Sequence, residues 1–270
     1  MYNLENTHTY INITWQRQKN IKINTHVPLK LHIFHLFAME LLKYCFYINL
    51  NERTDRLEHI RNELYVKLGL NKEGTVGGDG VTERFAAIKM EMGAVGCSLS
   101  HIRCLKMAKE RNYPYVFICE DDFLCINPEL LKKNLAEFVN SVYSNTFDVL
   151  IIGGNNWPPF HKETEFCLKV GRTLSTVGYV VRNHYYDTLI GNMKEGVNNL
   201  MRNPNRKKEF SLDVNWCLLQ QKDKWYMLIP ATVTQTEGYS DIEKDNKNYN
   251  HLLLCAFKQF DYGKNRWVAW

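Results

Sequence analysis

The stretch from Tyr115 to Asn127, YVFICEDDFLCIN, constrains this chain more than any other. Tyr115 to Cys119 is a short apolar run rich in β-branched and aromatic side chains, preceded by Asn112 and Pro114. Such a run reads as a strand buried on both faces, as strands of a parallel sheet are. It leads directly into Glu120, Asp121 and Asp122. Three adjacent carboxylates repel one another, and an ionised carboxylate is costly to take out of water. A hard divalent cation, which prefers oxygen ligands, relieves both costs. Side chains alternate along an extended segment, so Glu120 and Asp122 are expected to share one side and hold a metal, with Asp121 turned elsewhere. In open α/β sheets ligands bind beyond the carboxyl ends of the strands. The competing reading is a solvated acidic turn.

The surrounding chain supplies the context for a sheet. Residues 1–43 read as an extension, with an apolar stripe over 29–42 that suits a helix. Cys45 to Leu50 reads as a first strand. Asn51 turns the chain, and Thr54 is placed as the N-cap of a helix that ends near Gly69. A strand feeding a helix through a polar loop is a natural anion site. Arg53 and Arg56 there read as partners of a diphosphate or as two solvated arginines.

Phe85 to Lys89 reads as a second strand. Gly93 and Gly96 precede a helix over Cys97 to Arg111, which carries Ser100 and His101. Glycines before a helix let backbone approach a ligand, while a helical histidine is usually structural. Asn127-Pro128-Glu129 combines an N-cap, proline at the first helical position and an acid in the first turn, and starts a helix to about Tyr143. Phe147 to Ile152 is the next strand, closed by Gly153 to Asn156. This alternation of strands and helices specifies an α/β fold with a mostly parallel central sheet flanked by helices.

Further on, Val177 to Val181 reads as a strand, Tyr185 to Met193 as a helix, and the basic loop 198–208 as a flexible lid. Asp213 lies at a helix start, where the dipole favours its ionised form. Trp225 to Ala231 is a strand, and Asp241 follows in a polar segment. The organisation expected is an extension over 1–43, a domain over 44–243 and a second extension over 244–270 that packs on the outside.

Charge and cysteine usage narrow the partners. A net charge of +5 without a long basic stripe gives little support to nucleic-acid binding. Eight cysteines without a CxxC, most of them in apolar runs, read as buried thiols of the cytoplasm or another reducing compartment. Val27 to Leu42 is too short and polar for a membrane span, and the sequence contains nothing that reads as a signal peptide.

Four segments together resemble a known family. Tyr47-Ile-Asn-Leu-Asn-Glu-Arg-Thr-Asp-Arg56, Glu83-Arg-Phe-Ala86, Gly93-Ala-Val-Gly-Cys-Ser-Leu-Ser-His101 and Phe117-Ile-Cys-Glu-Asp-Asp122 are similar to the successive motifs of glycosyltransferase family 25. That family includes bacterial lipopolysaccharide β-galactosyltransferases and procollagen galactosyltransferases. The resemblance continues more weakly through Thr176 to Tyr179, Leu212-Asp213 and Gln235 to Ile242, and covers roughly 44–243. It implies a GT-A type nucleotide-sugar-binding fold. It also implies a UDP-hexose donor (most often UDP-galactose), a glycan or protein acceptor, a divalent metal such as Mn2+, and inversion at the anomeric carbon.

On that resemblance Glu120 and Asp122 hold the metal, and Asp121 bonds ribose or sugar hydroxyls. Asn51, Arg53 and Arg56 flank the nucleotide, and Ser100 and His101 line the donor pocket. Inversion needs a general base on the acceptor hydroxyl. Asp213 is the first candidate, and Asp241 is held in reserve as base or extra metal ligand. The alternatives are a non-catalytic relative that binds nucleotide-sugar or glycan, and a metal-dependent phosphohydrolase. The latter usually needs a second acidic cluster for a second ion, and the sequence offers none.

Overall fold

The computed structural model describes residues 39–71, 80–261 and 266–269. The helix expected over 29–42 lies outside them, except for a single 3-10 turn at Glu40–Leu42. A six-stranded sheet organises the rest. In chain order the elements are β1 (Tyr44–Asn49), α1 (Thr54–Arg61), β2 (Val81–Ala86), α2 (Gly93–Glu110), β3 (Tyr115–Glu120) and β4 (Phe123–Cys125). Then come α3 (Pro128–Val139), β5 (Val149–Lys162), β6 (Cys167–Arg182), α4 (Tyr186–Arg202), α5 (Leu212–Asn215), β7 (Trp225–Leu228), β8 (Val233–Gln235), and a hairpin of β9 (Gly238–Ser240) with β10 (Asp245–Lys247). The strand order is β2-β1-β3-β6-β5-β7. Strand β1 lies parallel to β2 and β3, and β5 parallel to β7, while β6 runs against β3, β5 and β7. The architecture is α/β with a mostly parallel central sheet flanked by helices, as expected.

The apolar runs alternate between two cores, because successive strand residues face opposite sides. Phe46, Val116, Ile118, Val149 and Ile151 face one core with α2 and α4. Tyr47, Phe117, Cys119, Leu150 and Ile152 face the other with α1 and α3. Burial on both faces is why these segments read as unbroken apolar runs rather than alternating ones. Five of the eight cysteines are buried and all eight are free thiols.

Several boundaries differ from the sequence reading, for local reasons. The helix α1 starts at Thr54, its N-cap position being Arg53, and it widens into a π-helical stretch at Asn62–Lys67. Of the segment read as a second strand at Phe85–Lys89, Phe85 and Ala86 end β2 and residues 87–89 follow it; the strand starts at Val81, whose amide donates to the Lys43 carbonyl. Strand β5 does not stop at Gly153. It continues to Lys162 through register shifts, with a cis Pro158-Pro159 bond inside the pairing, because β6 extends alongside it. Asn127 caps α3 as expected, accepting from the Leu130 amide at 3.1 Å.

Residues beyond 243, expected on the outside, reach the core. Leu253 and Ala256 are buried. The Lys258 ammonium, itself buried, donates to the carbonyls of Asn156, Leu252 and Cys255 at 2.7–2.9 Å. Three charge-assisted bonds compensate that burial.

Gly96 has a different role from the one expected. A Cβ there would fall 2.4 Å from the Ile88 carbonyl oxygen, so α2 packs directly on the chain leaving β2. Ser100, one turn on, accepts from the Ile88 amide at 2.8 Å and donates to the Gly96 carbonyl at 2.8 Å. We expect Gly96→Ala to cost about 1–3 kcal/mol, as overpacking of a close contact does. Thermal unfolding checks this: the melting temperature should fall by several degrees, and an unchanged value would refute the close packing.

Candidate functional site

The acidic triplet sits where β3 ends, at the carboxyl edge of the sheet. Glu120 is the last residue of the strand, and Asp121 and Asp122 form a tight turn into β4. That turn is held from three sides. Strand β4 pairs antiparallel with β8. The Thr236 amide donates to the Asp122 carbonyl at 2.8 Å. His59 of α1 contacts the Phe123 carbonyl and the Thr236 hydroxyl, each at 2.9 Å. A cavity of about 780 Å³ opens above it, bordered by α2, α5, the β9–β10 hairpin and residues 205–209.

Because the strand stops at Glu120, the side-chain alternation expected across the triplet does not continue. Asp121 and Asp122 are the two that act together. The Arg56 guanidinium donates from one nitrogen to both, at 3.0 Å and 3.3 Å. Its other nitrogen donates to the Tyr239 carbonyl at 2.9 Å. Asp121 also accepts from the Asn49 amide at 2.8 Å. Glu120 faces α2 instead. Its Oε1 accepts from His101 Nε2 at 3.2 Å, from the Thr176 hydroxyl and from the Cys97 thiol at 3.7 Å. His101 is fully buried, and its Nδ1 lies 2.7 Å from the Tyr179 hydroxyl.

The electrostatics follow this partition. Burial raises the Asp122 carboxyl, and the charges of Glu120 and Asp121 raise it further, so that it reaches about 7 despite Arg56 and Gln235. Burial raises Asp121 too, against the opposing pull of Arg56 and Asn49. For Glu120 burial also acts upward, but the hydrogen bonds from His101, Thr176 and Cys97 outweigh it and hold the group below its ordinary value. The floor is therefore short of positive charge. Gln235 gives a second sign of this. Its Nε2 donates to Asp122 only at 3.3–3.4 Å, and its buried Oε1 has no hydrogen-bond partner. An unpartnered amide oxygen beside under-neutralised carboxylates is a hard-oxygen donor set, and it fits a divalent cation.

The other expected residues separate into those at the cavity and those behind it. Asp213 borders the cavity from α5, and its Oδ2 accepts from the Ser175 amide at 3.0 Å. Its carboxyl is raised, by burial first and by Glu120 as well. The helix dipole expected to hold it down comes from a helix of only four residues, Leu212–Asn215, so burial prevails. Asp241 stands at the cavity mouth, 2.8 Å from Arg53. Arg53 is shared between Asp55 and Asp241 and anchors the hairpin rather than facing the cavity. Asn51 is exposed outside the cavity and accepts from Arg84 at 2.9 Å. Ser100 lies at the cavity wall, but its hydroxyl serves the Ile88–Gly96 packing.

Sequence reasoning passed over Asn49, Cys97, Thr176 and Tyr179 as site residues. Asn49 left a signal: a polar residue ending an apolar run, fully buried in the structure, needs a partner there. The basic segment expected to be a flexible loop over 198–208 is the end of α4 followed by a helical turn at Lys207–Phe210, and it borders the cavity.

A raised carboxyl stabilises the fold below its unfolded value near 3.8 and loses that contribution as pH rises through about 7. In metal-free protein, Asp122→Asn should therefore unfold at a higher temperature than wild type at pH 8, by about 1–3 kcal/mol of stability. The gain should vanish near pH 4. Thermal melts in chelator at both values check this; a destabilised variant at pH 8 would contradict the charge crowding.

Residues 43–240 match the sequence model of glycosyltransferase family 25, described as an LPS biosynthesis protein family. No curated protein sequence matches the chain. Solved structures give distant likenesses. One is a mannose-1-phosphate geranyltransferase from Thermus thermophilus, at 9% identity and TM-score 0.41 over 72% of this chain and 75% of that one. Another is a UDP-glucose pyrophosphorylase complexed with UDP-glucose, at 8% identity and TM-score 0.44 over 72% and 92%. A third is A197 from STIV, at 11% and 0.39 over 76% and 93%. On the family match, which spans most of the sequence and includes the acidic floor, this chain belongs to glycosyltransferase family 25.

Proposed function

We propose that this glycosyltransferase moves a hexose, galactose being the foremost candidate, from a UDP-sugar to a hydroxyl of a glycan or protein acceptor, with inversion. The observation that carries the reading is the crowded acidic floor at the carboxyl end of β3, under-neutralised by Arg56 and facing a cavity with Asp213 on its wall.

The residues divide the work between leaving group and nucleophile. Asp122, Gln235 and Glu120 would hold a divalent cation, Mn2+ by the family resemblance. Such a cation, when bound, neutralises charge gathering on a departing diphosphate. Arg56 adds a fixed positive charge beside Asp121 and Asp122, and its second nitrogen, on the Tyr239 carbonyl, holds the guanidinium in place. Asp121, fixed by Asn49 and Arg56, offers acceptor oxygens to sugar or ribose hydroxyls.

At the acceptor, Asp213 takes the hydroxyl proton. The acceptor oxygen then bonds to the anomeric carbon while the bond from that carbon to the diphosphate oxygen breaks, and UDP leaves with the electron pair. A base raised towards the working pH is better matched to this task than an ordinary aspartate. Asp241 is the reserve base; its carboxylate is engaged by Arg53 at the cavity mouth.

Asp213→Asn should lower kcat by about 10²–10⁴-fold, the usual worth of a general base, with UDP-sugar affinity little changed. Turnover measured over a panel of UDP-hexoses and hydroxyl acceptors checks this, and wild-type kcat in the variant would exclude Asp213. The acid limb of the wild-type kcat profile should lie above the ordinary aspartate value of about 3.9, because the base must be deprotonated and burial raises it. Tight UDP-sugar binding without turnover on any acceptor would favour a non-catalytic relative.

A further inference from the structure

Cys97 and His101 stand four residues apart on α2, on the same helix face, and that face meets the end of β3. The Cys97 sulfur, a His101 ring nitrogen and a Glu120 carboxylate oxygen all lie within 4.8 Å of one another, a grouping that leaves out Asp122. All three residues border the cavity, so an ion reaches them from its open side. We propose that Cys97, His101 and Glu120 form a binding site for a thiophilic divalent ion of the zinc type, which shares Glu120 with the donor site.

The chemistry of the three groups selects the ion. Thiolate, imidazole and carboxylate are the ligand types zinc takes, and three protein ligands with a fourth position towards a cavity make an open tetrahedral site. A thiolate discriminates against magnesium and manganese, which prefer all-oxygen surroundings. This separates the ion from the one that suits Asp122 and Gln235.

The groups behind the ligands suit the same assignment. Without an ion, His101 Nε2 donates to Glu120 and, in the neutral ring, Nδ1 accepts from the Tyr179 hydroxyl at 2.7 Å. With an ion on Nε2, the ring proton sits on Nδ1 and donates to the Tyr179 oxygen. A hydroxyl serves either tautomer, since it both donates and accepts. Thr176 continues to donate to Glu120, so each of these two ligands keeps a supporting hydrogen bond, as metal ligands usually do. Binding releases the Cys97 proton to solvent and changes no oxidation state.

An ion here draws Glu120 from the donor site and should inhibit transfer. That consequence rests on the proposed function; the binding itself does not.

The test uses reduced full-length protein and cobalt as a spectroscopic probe. Co2+ should produce a sulfur-to-cobalt charge-transfer band that saturates at one equivalent and is displaced by Zn2+. Cys97→Ser should lose the band, Cys255→Ser should keep it, and Tyr179→Phe should weaken binding by about tenfold. Alkylation followed by peptide mass spectrometry gives a second readout on the unaltered chain: Zn2+ should slow labelling of Cys97 and leave Cys255 unchanged. Absence of the band in wild type, its persistence in Cys97→Ser, or equal Cys97 labelling with and without Zn2+ would overturn the site. A band in protein that turns over no UDP-sugar would uphold the site and refute only the transferase reading.

Discussion

Mutual repulsion of carboxylates at the end of a buried strand is the constraint around which the active face is arranged. Asp121 and Asp122 are mostly buried, and Arg56 is the guanidinium that contacts both. Charges this close in a low-dielectric setting are costly unless something answers them. Arg56 answers part of it, Asn49 and Gln235 contribute dipoles, and the remainder leaves the floor negative, which favours a cation and repels an unaccompanied anion. The cost falls on stability, and on the proposed function the return is binding. Such an exchange is common where a fold keeps ionisable groups in a cleft.

The architecture makes that exchange tolerable. Strands β1 and β3 are filled on both faces by apolar side chains and set the floor rigidly. The turn carrying Asp121 and Asp122 is tied to α1 by His59 and to β8 by strand pairing and the Thr236 amide. The helix α2 approaches closely because Gly96 has no side chain, and this brings His101 and Cys97 against Glu120. The β9–β10 hairpin is held over the mouth by Arg53 and Arg56 together. Of the two, Arg56 joins the acidic floor to the rim.

The sequence made the sheet legible because strands buried on both faces are apolar without interruption, as Tyr115 to Cys119 is. The acidic triplet was equally plain as a motif, with a solvated acidic turn as its competing reading; the structure places Asp121 and Asp122 mostly out of solvent. What was lost lay in geometry that spacing does not encode. The alternation rule failed across Glu120 to Asp122 because the strand ends there, so the pair that shares Arg56 is Asp121 with Asp122. Asn51 was placed beside the nucleotide on the family resemblance, whereas the buried Asn49 makes the contact to Asp121. Arg53 and Arg56 looked equivalent in the helix start, yet they differ in which acids they reach. Strand β5 was cut short at its glycines because its long partner β6 could not be read from a single segment.

The central claim is that the acidic floor is completed by a divalent cation that brings the nucleotide diphosphate with it. Calorimetric titration of UDP into the protein, once in Mn2+ and once in excess chelator, tests it most directly. The account predicts saturable binding in Mn2+ that weakens by an order of magnitude or more in chelator, about 1.4 kcal/mol for each tenfold. Equal affinity under the two conditions would contradict it.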